Sequence, residues 1–312
     1  MNISSKIKFN CLKYLSLIAI LLLTWESTAQ GETAVPSLSQ TLPILTPTTP
    51  TAIAHLNEGL AFIQQGQLDS AIALFRQAIQ TDPSLAAAHY NLGLALRQQG
   101  QLEPAKNAFS KAIQADPDFA LAYANLGAAL YETNAYPEAR THLEYALHLN
   151  PNSGIAHYNL GLVLVESGDS ENAIAHFRQA LSLSPNAPES AYHLALIHLS
   201  RNNLSEAQRY LEQALRINPR YPEAQYQLGI LYFHQNNLES SLNAFRQSAE
   251  ANRNYPHAYY GAGIVFLKQQ RYREAARVLQ FAQELYEAES NWEWANRASQ
   301  LLQKAQQGDL GQ

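Results

Sequence analysis

Cysteine is nearly absent from this chain of 312 residues, since Cys11 is the only one. Beyond that position there is no thiol for a disulfide, a thiolate metal site or a cysteine nucleophile. The chain can therefore work in an oxidising compartment without depending on one. Charge is also sparse at 15%, against 46% hydrophobic residues, which is typical of a folded chain with much buried surface.

An excess of basic residues is lacking as well. The chain has 21 Lys and Arg against 26 Asp and Glu, a net charge of −5. Without the N-terminal Lys6, Lys8, Lys13 and Glu26 the balance is 18 against 25, or −7. Nucleic-acid binding depends on clustered positive charge, so the sequence predicts no nucleic-acid partner.

The segment from Met1 to Ala29 has the order of a signal peptide. Three lysines precede the apolar run from Tyr14 to Trp25, and Ser27-Thr28-Ala29 offers a cleavage site. The sequence predicts export to a periplasm, a lumen or the extracellular space. An uncleaved membrane anchor is the alternative, although about 20 apolar residues are needed to span a bilayer. Residues 30–51 are rich in Thr, Ser and Pro and are predicted to form an extended linker.

Beyond the linker the chain repeats itself at one fixed spacing, without insertions. Such a period predicts one solenoid instead of the two domains that the length suggests. The predicted repeats are 52–85, 86–119, 120–153, 154–187, 188–221, 222–255 and 256–289, followed by a capping helix at 290–306 and a tail at 307–312.

Each repeat is predicted to be two amphipathic helices joined by a tight turn. The turn positions carry residues that tolerate a left-handed backbone, with Gln270 as the exception. They are Gly66, Gly100, Asn134, Gly168, Asn202 and Asn236. Proline ends most second helices, and the polar residue after it is predicted to cap the next helix. These predicted caps are Ser84, Asp118, Asn152, Asn186 and Asn254.

Small residues recur at one position of each helix and predict a close crossing between the two. On first helices they are Gly59, Gly93, Gly127, Gly161, Ala195, Gly229 and Gly263. We expect them to face Ala71, Ala105, Ala139, Ala173, Ala207, Ser241 and Ala275 on second helices.

The pattern of these positions resembles the tetratricopeptide repeat family from about Ala52 to Glu289. In the second repeat the matching residues are Tyr90, Leu92, Gly93, Leu96, Ala105, Phe109, Ala112 and Pro117. The resemblance implies an all-α fold, an α-solenoid forming a right-handed superhelix, closed here by a capping helix. That helix is predicted to begin with a capping box from Ser290 to Glu293 and to cover the last repeat with Trp294, Ala298, Leu301 and Ala305.

The resemblance also implies a peptide-binding groove lined by first helices. A row of tyrosines and a row of asparagines run along it, and the asparagines are similar to the ladder in the repeat arm of the O-linked N-acetylglucosamine transferases. The predicted groove residues are Asn57, Tyr90, Asn91, Leu94, Arg97, Asn125, Tyr131, Tyr158, Asn159, Leu162, Tyr192, His193, Tyr226, Gln227 and Tyr260. Both rows could equally serve packing within the repeats.

No catalytic or cofactor motif appears, because the glycines serve crossings and turns, and the spacing of the histidines does not match a metal site. We expect a non-catalytic scaffold of the cell envelope that binds a peptide or protein segment, without cofactor or metal. Arg97 and Lys268 are the only basic residues in the groove rows, which disfavours an acidic tail as ligand. The alternatives are a membrane-tethered assembly factor and an accessory subunit of a glycosyltransferase-like enzyme.

Overall fold

A computed structural model describes residues 49–310, which form fifteen α-helices and no strand. The predicted leader and nearly all of the linker lie outside the described residues. The described chain divides into two compact units, one ending at Leu183 and the other beginning at Ser184. Among the described residues, no helix has the length and hydrophobicity needed to cross a membrane.

The first unit contains eight helices in four pairs, and within the unit each pair also packs on the next along the chain. They are α1 Pro50–Gln64, α2 Leu68–Thr81, α3 Ala86–Gln98, α4 Leu102–Ala115, α5 Ala120–Glu132, α6 Tyr136–Leu149, α7 Gly154–Glu166 and α8 Ser170–Leu183. The first helices of neighbouring pairs touch as well, α3 against α5 and α5 against α7. Within this unit the predicted arrangement of stacked helix pairs is confirmed.

The second unit contains three further pairs and a last helix. They are α9 Pro188–Ser200, α10 Leu204–Ile217, α11 Pro222–His234, α12 Leu238–Ala251, α13 Pro256–Lys268, α14 Tyr272–Ala288 and α15 Trp292–Leu310. The pairing is the same as in the first unit, and α15 packs on α14.

The turn between the two helices of each pair has the left-handed backbone that its residues predict. The φ angle is 72° to 79° at the three turn glycines and about 60° at the three asparagines. Gln270 adopts the same conformation with φ 60°, although its side chain does not favour it. The geometry of the joint is therefore imposed by the packing of the two helices even where the residue is unsuited.

The predicted N-caps are wrong by one residue. The capping position is occupied by Leu85, Phe119, Ser153, Ala187, Tyr221 and Tyr255, of which only Ser153 caps with its side chain, accepting from the Ala156 amide at 3.3 Å. The polar side chain that bonds to the backbone instead stands three residues before the capping position, and a proline follows it in every repeat of this set except at Asn252. Asp82, Asp116, Asn150, Asn218 and Asn252 each accept a hydrogen bond from the backbone amide two residues on. These Asx turns fix the corner between second and first helices.

Close helix crossings occur at the predicted glycines, but the nearest neighbour differs from the prediction. A Cβ on Gly93 would lie 2.6 Å from the Phe109 ring, and one on Gly127 would lie 2.5 Å from Leu143. The expected small residues also face these glycines: Ser241 Oγ donates to Gly229 O at 2.8 Å, and a Cβ on Gly127 would lie 3.2 Å from Ala139 O. The glycines thus make room for a large side chain of the partner helix, which fills the crossing.

The last helix covers the end of the second unit. Ala298 and Ala305 are fully buried, and Trp294 and Leu301 pack against buried residues of α14. The predicted capping box is wrong, because Ser290 has a left-handed backbone with φ 56°. Asn291 stands before the helix instead, with its side chain 3.5 Å from the Trp294 amide. The helix continues to Leu310, through most of the predicted tail.

Candidate functional site

The asparagine row lies along one face of the first helices in the first unit. Asn91, Asn125 and Asn159 each donate to the carbonyl one turn earlier in their own helix, at 2.8, 3.0 and 2.9 Å. Those carbonyls belong to Ala87, Leu121 and Ile155. The asparagines hold the sixth position of their repeats, and the residues whose carbonyls they contact hold the second. Both positions therefore lie on one face of the first helices, which we call the first-helix face.

Asn125 is the most connected member of the row. Its side-chain amide also donates to Tyr90 Oη at 3.2 Å, and its carbonyl oxygen accepts from Arg97 Nη1 at 3.3 Å. It is 2% exposed. The amide that was predicted to grip a peptide backbone is thus used to join α3 to α5.

Arg97 is engaged in the same network. Its guanidinium forms an ion pair with Glu132, in which Nε and Nη2 both lie 2.6 Å from Oε1 of the carboxylate. Both side chains are mostly buried. The positive charge of this row is therefore balanced by an acid on the next repeat.

The tyrosine row lies mainly within the repeats. The Tyr90 ring is 4.9 Å from Phe119 and 5.9 Å from Phe109, and burial raises the pKa of its hydroxyl to about 12. Tyr158 and Tyr226 pack in the same way on the phenylalanine of their own second helix, at 5.8 and 5.7 Å. Tyr192 lies 5.1 Å from Tyr221 and Tyr260 lies 5.3 Å from Trp294. Of the two interpretations of this row, the observed contacts favour packing.

The other predicted residues differ in exposure. Asn57 is exposed, and Leu94 is partly buried against the core of the first unit. The remaining four are buried: Tyr131, Leu162, His193 and Gln227. Burial also lowers the pKa of His193 to about 4. The face consequently presents fewer of the predicted side chains to a ligand than the pattern suggests.

The predicted groove residues do not include the apolar side chains that are exposed on the same face. Ile53, Leu121 and Ile155 are 37%, 44% and 36% exposed, and all three occupy the second position of a repeat. Ala87 holds that position in the remaining repeat of this unit. The signal in the sequence is a large apolar residue at the second position of three of the four repeats in this unit.

In the second unit two of the three residues at the same repeat position are acidic. The position holds Glu189 and Glu223, followed by His257. Burial raises the pKa of both carboxyl groups. Burial among aromatic rings lowers the pKa of His257 to about 4, and its Nδ1 lies 2.7 Å from Tyr286 Oη, within hydrogen-bond distance.

Two of the histidines at the fourth repeat position each contact a backbone carbonyl of the preceding repeat. Nε2 of His89 lies 2.9 Å from Pro83 O, and Nε2 of His157 lies 3.0 Å from Pro151 O. Tyr259 reaches the equivalent carbonyl, Arg253 O, at 3.1 Å. These side chains hold the end of one repeat to the start of the next, which explains why a ring with a polar edge recurs there. Residues 49–310 contain no group of three side chains arranged to hold a metal ion.

Two family models match the chain. The model described as the cilia and flagella-associated protein 70 C-terminal domain matches residues 28–259, and the tetratricopeptide repeat model matches residues 236–289. No curated protein matches the chain.

Solved structures show the same fold. A tetratricopeptide repeat protein from Parabacteroides merdae is 20% identical, with a TM-score of 0.62 over 80% of this chain and 100% of its own. The pilF protein of Pseudomonas aeruginosa is 23% identical, with a TM-score of 0.59 over 67% of this chain and 95% of its own. At these identities the likeness concerns the fold alone.

Proposed function

Because this chain belongs to the tetratricopeptide repeat family, a family of protein-interaction scaffolds, we propose that its first-helix face binds an extended segment of another protein. The chain acts as a scaffold without catalysis of its own. Several repeats contact the segment at once, so that many weak contacts add up to a useful affinity.

The observation that carries this proposal is the exposed apolar row in the first unit. Ile53, Leu121 and Ile155 expose large apolar side chains at matching positions on different helices. Single exposed apolar residues are ordinary, but a row in register supports a contact surface. A segment with apolar side chains at regular spacing fits such a surface.

The test is selection of peptides on the purified full chain. A phage-displayed library of random peptides should yield binders, and replacing Leu121 and Ile155 together by serine should weaken a selected peptide at least ~10-fold, since two apolar contacts are lost. Leu183→Ser is the matched control, because Leu183 is exposed to a similar degree, 38%, but ends a second helix. Equal loss in both variants, or none in either, would reject the apolar row as the binding surface.

We further propose that the chain is exported and acts in the cell envelope. The support is the order of lysines, apolar run and small residues before Ala29. Sequencing the N-terminus of the mature protein tests this: a start at Gln30 indicates release, whereas an intact leader indicates a tethered assembly factor.

A further inference from the structure

Two glutamates of the second unit lie at the repeat position that is apolar in the first unit. Glu189 and Glu223 lie one repeat apart, and each follows the proline that begins its helix, α9 or α11. The start of α11 lies against α9, since the rings of Tyr221 and Tyr192 are 5.1 Å apart. The second position of the repeat therefore changes from apolar in the first unit to acidic in two repeats of the second.

Both carboxylates are incompletely satisfied. Glu223 is 5% exposed, and its Oε2 has neither solvent contact nor a hydrogen-bond partner. Oε2 of Glu189 is also buried without a partner. Neither side chain forms an ion pair with another described residue. Each carboxyl group accepts a hydrogen bond from its own backbone amide. Its other oxygen has lost contact with water and has no partner, which is unfavourable for a charged carboxylate.

Stabilising the helix start does not explain this burial. An acid in the first turn interacts favourably with the helix dipole while it stays in water. Glu239 does so in α12, where it is likewise the second residue and is exposed. The helix dipole thus accounts for the residue type at Glu189 and Glu223, but not for their burial.

The two helices themselves supply no positive charge. α9 and α11 contain no lysine or arginine. His193 on α9 is buried, and the pKa of its imidazole is lowered to about 4 by that burial. Burial likewise lowers the pKa of His257, next along the row, to about 4, and its Nδ1 lies 2.7 Å from Tyr286 Oη. Neither helix therefore supplies a cation for the two carboxyl groups.

We propose that Glu189 and Glu223 recognise a basic side chain, lysine or arginine, of a protein segment bound by the first helices of the second unit. The proposal rests on the proposed function and specifies the chemistry of the partner. A lysine ammonium or an arginine guanidinium donates several hydrogen bonds and forms strong charge-assisted bonds with a carboxylate. Metal binding is disfavoured, because two monodentate acids without a third ligand among the described residues do not make a stable site.

The experiment selects about 12-residue peptides from a phage-displayed random library on the full chain and on two variants. Wild type should enrich lysine or arginine at a fixed position of the peptide. Glu189→Gln/Glu223→Gln should bind the wild-type peptide at least ~10-fold more weakly, since the paired charge is lost. Glu239→Gln is the matched control, with an acid removed from the same helix position but from an exposed site, and should bind normally.

A change on the peptide side keeps the protein intact. Replacing the enriched basic residue by norleucine should weaken binding to wild type to the same degree, and should have no effect on the double variant. Apolar peptides selected without basic enrichment would overturn this proposal and leave the proposed function standing. If no peptide is selected at all, the proposed function fails as well. The proposal would also be overturned if the double substitution weakened the binding of the lysine peptide and of the norleucine peptide by the same factor.

Discussion

Single side chains connect neighbouring repeats, and Asn125 illustrates how. It bonds to its own helix through Leu121 O and to the preceding repeat through Tyr90 and Arg97. Asn91 occupies the same repeat position, yet its amide donates to Ala87 O in its own helix. Residues of one type at one repeat position therefore differ in what they stabilise.

We predict that Asn125→Ala destabilises the protein by about 1–3 kcal/mol, because the partly buried groups of Tyr90 and Arg97 lose a partner. Asn91→Ala should cost less than about 1 kcal/mol, since one hydrogen bond within a helix is lost. Urea unfolding of both variants measures the difference. Similar midpoints would contradict the assigned role of Asn125.

Protonation of His257 is predicted to weaken folding at low pH. Its pKa falls from the ordinary 6.5 to about 4, because it is buried. As the pH drops from 6.5 towards 4, the unfolded chain binds a proton that the folded chain excludes, and stability falls by up to about 3 kcal/mol. His257→Asn keeps an acceptor for Tyr286 but does not titrate.

Urea unfolding at pH 7 and pH 4.5 tests this prediction. The loss of stability between the two values should be smaller in His257→Asn than in wild type. His148→Asn, at an exposed histidine, is the control and should behave as wild type. An equal loss in all three proteins would show that His257 does not contribute.

At the scale of the helix pair, two backbone corners set the geometry. The turn inside each pair uses a left-handed residue, and the corner between pairs uses an Asx turn before the proline. Both are short, so the helices they join can pack directly. Gln270 is the weakest of these corners, because an ordinary side chain adopts φ 60° there.

Gln270→Gly is accordingly predicted to stabilise the protein by about 0.5–1 kcal/mol, since the strain of the left-handed backbone is relieved. Gln235→Gly is the control: Gln235 directly follows α11 and has an ordinary φ of −76°, so glycine should be neutral or destabilising. Thermal denaturation of both variants gives the comparison. A lower midpoint for Gln270→Gly would show that its side chain contributes more than the strain costs.

On the scale of the whole molecule, each unit has its own packed interior. In the second unit the last helix completes it, because Leu279, Ala282 and Tyr286 of α14 are fully buried beneath α15. A repeat array needs such a cover at its end, since the last pair otherwise exposes the surface that its neighbours bury.

Ala298→Asp is predicted to destabilise the second unit by about 2–5 kcal/mol, because it places an unpaired charge in a fully buried position. Hydrogen exchange should increase in α13 to α15 before it increases in α1 to α8. Asn296→Asp, exposed on the same helix, should leave exchange unchanged. A uniform increase along the described chain would indicate that the two units unfold together.

The sequence by itself determined the repeat, the helix pairs and the left-handed joints, because these depend on local periodicity and on backbone preferences of single residues. Only the tertiary structure decided which side chains remain exposed. Tyr90 and Asn125 have residue types suited to binding, yet packing between repeats engages them, while Leu121, Ile155 and the unpartnered Glu223 are distinguished by exposure or burial. Exposure and burial depend on neighbours in adjacent repeats, which are distant along the chain. A local sequence pattern therefore does not predict them.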